Sequence, residues 1–342
     1  MRIAFLNLYS GVNNRGAESF AHKLGLLLIT KGYQVDFYTG PQMSTKIVQP
    51  EHNVKNPLKR LFLDPASLSV LFFTLKIFPK LWKKKYHWII PMNSFWQVLL
   101  CKFIFKSKIL ITGHSGPGWD ERWNLYLQPD VFVATTEPTA LWARKTCPWT
   151  KISTIPYGID KYKNIRPAKL DLEKPVIICP AAAVPYKRVD TAIKAVAKLK
   201  KGSLLYLGTG SLLPELKSLG ERLLGKRFLH LAVSYEEMPK YYAACDVVTL
   251  PSSSQENSPM TFLEAMASGK MTVATDAPRP RWILGEAGVY VDPTNTTAYA
   301  AALQKAIDFK DKKVIALQAQ KYFWEIIIGE YEKMLNANLR QE

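Results

Sequence analysis

Residues 246–269 are Asp-Val-Val-Thr-Leu-Pro-Ser-Ser-Ser-Gln-Glu-Asn-Ser-Pro-Met-Thr-Phe-Leu-Glu-Ala-Met-Ala-Ser-Gly. The first six form a short β-branched run that ends at a proline, which predicts a buried strand. Ser258 stands in an N-cap position, Pro259 follows as the first helical residue, and Gly269 ends the predicted helix. A strand, a polar loop and a helix N-terminus in this order predict an α/β unit. The free N–H groups at such a helix start attract an anion, most simply a phosphate.

Two carboxylates belong to this stretch. Glu256 stands in the loop, and Glu264 lies two turns later on a face of the helix. A carboxylate can accept hydrogen bonds from two neighbouring hydroxyls at once. Two carboxylates beside a phosphate site therefore suit a sugar nucleotide, with one carboxylate for each sugar. The alternative is an ordinary amphipathic helix with two solvated glutamates.

The spacing Glu256-x7-Glu264, followed by Ala-Met-Ala-Ser-Gly, resembles the donor-site motif of the retaining GT-B glycosyltransferases of family GT4. The resemblance implies that Glu256 faces the transferred sugar and that Glu264 holds the nucleotide ribose. It also implies an α/β fold of the GT-B type, in which two Rossmann-like doubly wound domains face a central cleft. The donor it implies is a nucleotide-diphosphate sugar, either a UDP-sugar or a GDP-sugar.

Length and cysteine content narrow the class of protein. A chain of 342 residues is long for one compact core and favours two domains. Its four cysteines are scattered without a C-x-x-C pair, which predicts reduced, buried thiols in a cytosolic protein. The chain begins directly with a strand-like run, Met1–Leu8, and shows no signal peptide and no run of 18 apolar residues. We therefore expect no membrane-spanning segment.

The formal net charge is +18, and most of the excess lies in the first half of the chain. Between Lys55 and Lys108 there are 11 basic residues, opposed only by Asp64, together with 11 aromatic residues. A basic, aromatic surface suits nucleic acid or an anionic membrane interface. The membrane is favoured, and nucleic acid is not expected as a partner, because no known nucleic-acid-binding module is present.

Part of this window is a nearly continuous apolar stretch, Ala66–Phe78, which Pro79 is expected to break. It is too short to span a bilayer. Two interpretations stay open: an interfacial segment anchored by an aromatic and a lysine cluster, or a buried crossover helix whose basic tail is solvated. The candidate acceptor or membrane face consists of Arg15, Lys80, Trp82, Lys83, Lys84 and Lys85.

Two loops in the first half carry further resemblance to the family. The loop Gly11–Glu18 resembles its Gly-Gly-Ala-Glu loop, with Arg15 in place of the first glycine; Arg15 either adds charge to the site or crowds it. Gly16 would allow close backbone approach to the donor. His114 follows a predicted strand and matches the family's strand-end histidine, which contacts the transferred sugar. The alternative is a loop histidine with no functional role.

The second half restarts the alternation of strands and helices at Val176. Lys187 matches the family's lysine that neutralises the donor diphosphate, whereas the family's arginine falls at Ala182. Arg188 is the candidate substitute, although one residue along a helix turns a side chain by about 100°. The remaining residues that the resemblance assigns to donor binding are Gly208, Gly210, Tyr235, Asn257, Ser258, Met260 and Thr261.

The predicted organisation has four parts. Residues 1–160 form an acceptor-binding Rossmann-like domain, 161–174 a linker, 175–325 the donor-binding Rossmann-like domain, and 326–342 a C-terminal helix that crosses back to the first domain. The domains are expected to close about the linker when the donor binds.

These observations predict a retaining hexosyltransferase that moves a sugar from a nucleotide-diphosphate sugar to a glycan or lipid-linked acceptor. Glu256, His114 and Lys187 are its predicted catalytic residues. Without an Asp-x-Asp or a His/Cys ligand set, neither a metal nor another cofactor is expected. The expected place is the cytoplasm, peripherally at the inner face of the cell membrane, in cell-surface polysaccharide or glycolipid synthesis. Alternatives are a catalytically inactive GT-B-like membrane-associated subunit, which Ala182 favours, and a sugar-nucleotide epimerase, which the order of the motifs disfavours.

Overall fold

The protein folds into two compact units. A computed structural model describes residues 1–11, 16–44, 57–93, 95–253 and 256–337. The first unit contains Met1–Pro156 and Ile328–Glu342, and the second contains Tyr157–Ile327. By this division the segment 161–174 lies within the second unit, and the end of the chain lies within the first.

The first unit contains a parallel sheet of six strands in the order β2-β1-β3-β4-β5-β6. Strands β3 and β5 are buried along their whole lengths, as expected for a parallel sheet that is covered on both faces. The strands are β1 (Arg2–Asn7), β2 (Gln34–Thr39), β3 (Trp88–Pro91), β4 (Lys108–Gly113), β5 (Val131–Ala134) and β6 (Ile152–Thr154).

Helices cover both faces of this sheet. They are α1 (Gly16–Thr30), α2 (Pro57–Arg60), α3 (Pro65–Lys84), α4 (Phe95–Ile104), α5 (Trp119–Tyr126), α6 (Glu137–Thr146) and the end of α14 (Trp324–Ala337). Helices α3 to α6 pack side by side in chain order, whereas α1 packs on β1 and β2. The ring of Phe20 on α1 meets that of Tyr331 on α14, with 6.1 Å between centroids. Because all six strands run parallel, their carboxyl ends lie at one edge of the sheet.

The second unit repeats the design. Its six strands run parallel in the order β12-β11-β10-β7-β8-β9. They are β7 (Val176–Pro180), β8 (Ser203–Leu207), β9 (Phe228–Leu231), β10 (Val247–Leu250), β11 (Met271–Thr275) and β12 (Gly288–Val291). The helices are α7 (Val189–Ala197), α8 (Leu213–Leu224), α9 (Met238–Ala244), α10 (Met260–Ala267), α11 (Pro278–Leu284), α12 (Thr296–Asp308) and α13 (Lys312–Gln320), together with the start of α14. Two doubly wound α/β units confirm the predicted fold class.

The prediction that Pro79 breaks the apolar stretch is wrong, because α3 runs through it for 20 residues. Proline inside a helix costs about 3 kcal/mol through a lost hydrogen bond and a clash. Burial offsets this cost, since Ile77 and Leu81 on either side of Pro79 are at most 1% exposed. Asp64 caps the helix by accepting from the backbone N–H of Ala66 and Ser67.

The same correction changes the length argument about membranes. The segment Pro57–Lys84 contains an 18-residue window of mean hydropathy 1.6, of which 44% is buried inside the first unit. By length and composition alone, it is the one helical segment among the described residues that could cross a membrane. The expectation that no segment has this property was therefore too strong. The inner face of α3, with Phe73 and Ile77 fully buried, belongs to the core of the unit.

Several elements were missed. The patterns gave no prediction for α2, α5, α11 and α13, which are short or weakly periodic. The four cysteines are free and buried, as predicted: Cys101, Cys147, Cys179 and Cys245.

Candidate functional site

The motif stretch forms a loop and a helix at the edge of the second sheet where its strands end. Helix α10 begins at Met260, and Pro259 is its N-cap with extended backbone (φ −65°, ψ 126°). The predicted N-cap at Ser258 is therefore wrong by one residue, because Pro259 already donates no N–H and its carbonyl accepts from Phe262. Gly269 has φ +66° and ends the helix, as predicted.

Glu264 is buried inside this helix rather than solvated. Its side chain is 3% exposed, and Tyr242 donates a hydrogen bond of 2.7 Å to Oε2. Its Oε1 has no hydrogen-bond partner among the described residues. Burial raises the pKa of Glu264, and the hydroxyls of Tyr242 and Tyr235 lower it. The amphipathic-helix alternative fails for this residue, since a buried carboxylate with one open oxygen is poised to accept from a ligand hydroxyl.

Glu256 interacts with two cations. It forms an ion pair with Lys187, and the two side chains are only 13% and 15% exposed. Lys187 is presented by the short turn Pro185–Lys187 after β7 and lies over the ring of Tyr186. The prediction that Arg188 lies in the following helix is wrong. Arg188 precedes α7 and has a left-handed backbone conformation (φ +50°).

The second cation is Arg279, which the sequence patterns did not single out. Glu256 and Pro280 line one small cavity, and the Thr275 hydroxyl donates to the Ser252 carbonyl, so the start of α11 lies against the Glu256 loop. Burial lowers the pKa of Arg279, and the charge of Glu256 raises it. The available sequence signal was an arginine between two prolines, shortly after a buried strand.

Gly208 and Gly210 have a clear packing role. A Cβ on Gly208 would lie 1.9 Å from the Ala181 carbonyl oxygen, and Gly210 has φ +148°. The Ala183 N–H donates to the Thr209 carbonyl at 2.9 Å. The two glycines, which carry no Cβ, thus allow the backbones of the loops after β7 and β8 to lie against each other. Ala182, where the family's arginine would stand, is exposed on this joint.

The other predicted donor residues lie at the same edge. Asn257 is buried, while Ser258, Met260 and Thr261 are partly exposed. Tyr235 begins a short turn before α9 and is 43% exposed. Residues Ser254 and Gln255 lie outside the described part of the chain. The second unit thus brings together almost all residues predicted for the donor.

In the first unit, His114 follows β4 and lines a cavity of about 560 Å³. Its ring packs edge-on against Phe20, with 5.8 Å between centroids. Burial lowers the pKa of His114 to about 4, so the ring is neutral at physiological pH. Gly16 is the first residue of α1, and Arg15 lies outside the described residues.

The predicted lysine cluster lies at the far end of α3 from this cavity, which Ala66, Ser67 and Val70 line at the start of the helix. Lys80, Lys83 and Lys85 are exposed, and Trp82 is 60% exposed beside Phe78 and Phe105. Lys84 pairs with Asp36 at 2.9 Å. A 20-residue helix is about 30 Å long, so the structure does not bring these residues to His114.

Comparison with known proteins gives a family match for most of the second unit. Residues 160–321 match the model of the glycosyl transferases group 1 family. Over 223 residues the chain is 30% identical to an exopolysaccharide phosphotransferase of Streptomyces coelicolor. The aligned region is 60% of this chain and 23% of that protein. Over 145 residues it is 28% identical to a GDP-mannose-dependent alpha-(1-6)-phosphatidylinositol monomannoside mannosyltransferase of Mycolicibacterium smegmatis, 38% of each chain. The chain thus spans less than two fifths of the length of these relatives.

Solved structures match the whole chain. A sucrose-phosphate synthase from Thermosynechococcus elongatus superposes with a TM-score of 0.81 at 19% identity, covering 100% of both chains. Anabaena HepE, in complex with UDP-glucose, superposes with a TM-score of 0.72 at 18% identity, covering 98% of this chain and 100% of that one. The fold is GT-B. At these identities the GT-B likeness establishes architecture, and substrates must be argued from the site itself.

The described residues contain no group of three or more His, Cys, Asp or Glu side chains arranged to hold a metal ion.

Proposed function

We propose that this GT-B protein is a glycosyltransferase that takes a sugar from a nucleoside-diphosphate sugar bound to its second unit. The observation that carries the proposal is the buried Glu264 carboxylate, with Oε2 held by Tyr242 and Oε1 open, at the same strand-end edge as Glu256. Such an oxygen can accept the hydrogen bonds that two ribose hydroxyls donate. The neighbouring cations suit the diphosphate that follows a ribose in a nucleotide.

Lys187 and Arg279, which both interact with Glu256, would neutralise that diphosphate. Lys187 pairs with Glu256 in the structure, so a bound diphosphate would have to draw Lys187 away from this partner. Glu256 would then be free to accept from hydroxyls of the transferred sugar. Arg279 supplies the second cation that Ala182 lacks, which favours an active enzyme over the catalytically inactive subunit.

The proposed transfer is metal-independent and retains the anomeric configuration. The bond from the anomeric carbon to the diphosphate oxygen breaks, and the nucleoside diphosphate leaves with the bonding electrons. The acceptor hydroxyl forms the new bond on the same face, and its proton passes to the departing phosphate oxygen. Lys187, Arg279 and the N-terminus of α10 stabilise the charge that develops on the leaving group. Neutral His114 in the first unit would contact the sugar as a hydrogen-bonding partner.

We further propose that the protein acts at an anionic membrane surface, on the cytoplasmic side, on a glycan or lipid-linked acceptor. The outward side of α3 is divided lengthwise into an apolar stripe and a basic stripe, since residues lie at about 100° intervals around a helix. The exposed apolar side chains are Phe72, Leu75 and Trp82, and the adjacent exposed lysines are Lys76, Lys80 and Lys83. A helix of this kind lies in the plane of an interface.

The proposal is tested by incubating the protein with UDP- and GDP-sugars and an acceptor extract, and by measuring the released nucleotide. Sugar transfer releases a nucleoside diphosphate. Release of a nucleoside monophosphate would instead show transfer of a sugar phosphate, which the similarity to an exopolysaccharide phosphotransferase makes the second candidate. Free epimerised sugar nucleotide would show an epimerase. Nucleotide binding without any turnover would support the inactive subunit.

A further inference from the structure

The first unit contains a ligand-sized cavity whose chemistry is different from that of the rest of this basic protein. Its volume is about 560 Å³, within the range of small-molecule sites. It lies where β1, β3 and β4 end, between the starts of α3 and α5. Open α/β sheets bind ligands at this edge.

One buried polar atom in its wall has no partner. Asn124 is 6% exposed, and its Nδ2 donates to Oε2 of Glu121 at 3.1 Å. The other oxygen of Glu121 accepts from the Ser115 backbone N–H, which fixes the carboxyl group. Asn124 Oδ1 has no hydrogen-bond partner among the described residues. A buried acceptor without a donor is costly, so a ligand that donates a hydroxyl there removes a standing penalty.

The charge of the wall disfavours an anion. Four carboxyl side chains line the cavity: Glu18, Asp64, Asp120 and Glu121. Burial and the charge of Asp120 raise the pKa of Glu121 to about 8, so the negative charge of the wall at neutral pH comes from the other three. Lys59 is the single Lys or Arg among the described lining residues, in a chain whose net charge is +18. Like charges brought together in a partly desolvated site cost several kcal/mol, so this wall would reject a phosphate or a carboxylate.

A continuous row of aromatic rings leads from the cavity to the surface. Phe62 and Trp119 line the cavity, with 4.7 Å between their ring centroids. Phe62 stacks on Phe95 at 4.4 Å, Phe95 meets Trp123 at 6.1 Å, and Trp123 meets Tyr126 at 5.9 Å. Trp123 and Tyr126 are 45% and 44% exposed. We call these five rings the aromatic ledge; it offers an apolar path beside a polar pocket.

We propose that the cavity binds the uncharged, hydroxyl-rich sugar of an amphipathic acceptor, and that the apolar part of the same molecule lies along the aromatic ledge. Calling this ligand the acceptor rests on the proposed function, whereas its chemistry follows from the cavity alone. The unpaired oxygen of Asn124 selects a hydroxyl donor, the carboxyl groups exclude an acidic sugar, and the ledge selects an alkyl or prenyl chain.

The test uses octyl glucoside and octyl glucuronide as probes, each below its critical micelle concentration, with binding followed by saturation-transfer NMR. The two probes share the octyl chain and differ by one carboxylate. We expect octyl glucoside to bind at least about tenfold more tightly. Asn124→Leu and Trp123→Ala should each weaken its binding by about three- to tenfold. Asp120→Asn should narrow the gap between the probes. Trp149→Ala, which removes a 65% exposed tryptophan elsewhere in the unit, is the matched control and should change nothing.

Equal or tighter binding of octyl glucuronide would overturn the inference, as would an undiminished affinity in Trp123→Ala. If Asn124→Leu does not fold, the exposed Trp123 and the partly exposed Asp120 still decide the outcome. Nucleotide binding, measured on the same samples, separates the two proposals. Octyl glucoside binding without nucleotide binding would defeat the proposed function alone, and the reverse result would defeat this inference alone.

Discussion

Replacement of Tyr242 by phenylalanine removes one hydroxyl from the environment of Glu264. That hydroxyl donates a 2.7 Å hydrogen bond to a carboxylate that is 3% exposed. Hydrogen bonds to charged groups contribute about 1.5–3 kcal/mol, and burial leaves the oxygen without water as a substitute. If about 1.4 kcal/mol of this is expressed in ribose binding, the dissociation constant of the nucleotide rises about tenfold.

The pH dependence of this effect follows from the direction of the pKa shift. Burial already raises the pKa of Glu264, and Tyr242 counteracts it, so Tyr242→Phe raises this pKa further. A carboxyl group whose pKa is higher in the folded protein than in the unfolded chain destabilises the fold as the pH rises from the unfolded-state pKa to the folded-state pKa. The deficit of the variant should therefore grow from pH 5 to pH 8, both in nucleotide affinity and in melting temperature.

Isothermal titration calorimetry with the preferred nucleoside diphosphate, at several pH values, measures the affinity. Tyr241→Phe is the control, because it removes the same hydroxyl one residue earlier on α9 from a side chain that does not hydrogen-bond to Glu264. Equal affinities of Tyr242→Phe and wild type across this pH range would refute the assignment of Glu264 as the ribose-binding carboxylate held by Tyr242.

Three further predictions concern other residues. Arg279→Ala should lower nucleoside diphosphate affinity by about tenfold and kcat by more, since a cation at the leaving group acts most in the transition state. The control Arg281→Ala removes an exposed arginine that is paired with Asp276, and it should leave affinity and kcat unchanged. A larger loss in Arg281→Ala than in Arg279→Ala would contradict the role of Arg279. Glu121→Gln should stabilise the protein by about 3 kcal/mol at pH 8–9 and little below pH 5. Burial and the charge of Asp120 raise the pKa of Glu121 to about 8, so ionisation of this side chain destabilises the wild type as the pH rises from 5 to 8. Parallel pH profiles of melting temperature in the variant and the wild type would contradict this prediction. Trp82→Ala should weaken sedimentation with anionic vesicles at low salt several-fold. Leu317→Ala, which truncates an exposed apolar side chain in the second unit, should not weaken it. An equal loss of vesicle binding in both variants would contradict α3 as the membrane-facing element.

Local sequence signals were sufficient for the architecture of the second unit. The buried strand before Pro251, the glycine that ends α10 and the spacing of the two glutamates all correspond to observed elements. The N-cap prediction missed by one residue because Ser258 and Pro259 are both acceptable at a helix start, and propensity cannot rank them.

Local sequence patterns could not predict the contacts between distant segments of the chain. The partner of Glu264 lies 22 residues away on α9, and Arg279 reaches the Glu256 loop only because β11 lies beside β10 in the sheet. Pro79 shows the same limit in reverse, since tertiary burial on both sides of it overrides a strong local helix breaker. In the first unit, α5 supplies three of the five rings of the aromatic ledge and part of the cavity wall, and this helix carries too little periodicity to predict.

The identity of the ligand on the second unit can be decided by titrating UDP, GDP and inorganic pyrophosphate into wild type and Glu264→Gln. The proposed function predicts that one nucleotide binds wild type, adding roughly 2.7 kcal/mol of stability at one hundred times its dissociation constant. It predicts at least about tenfold weaker nucleotide binding by Glu264→Gln, with pyrophosphate affinity unchanged because pyrophosphate carries no ribose. Folded wild-type protein that binds neither nucleotide, or a variant that binds as well as wild type, would contradict a nucleotide-sugar site built on Glu264.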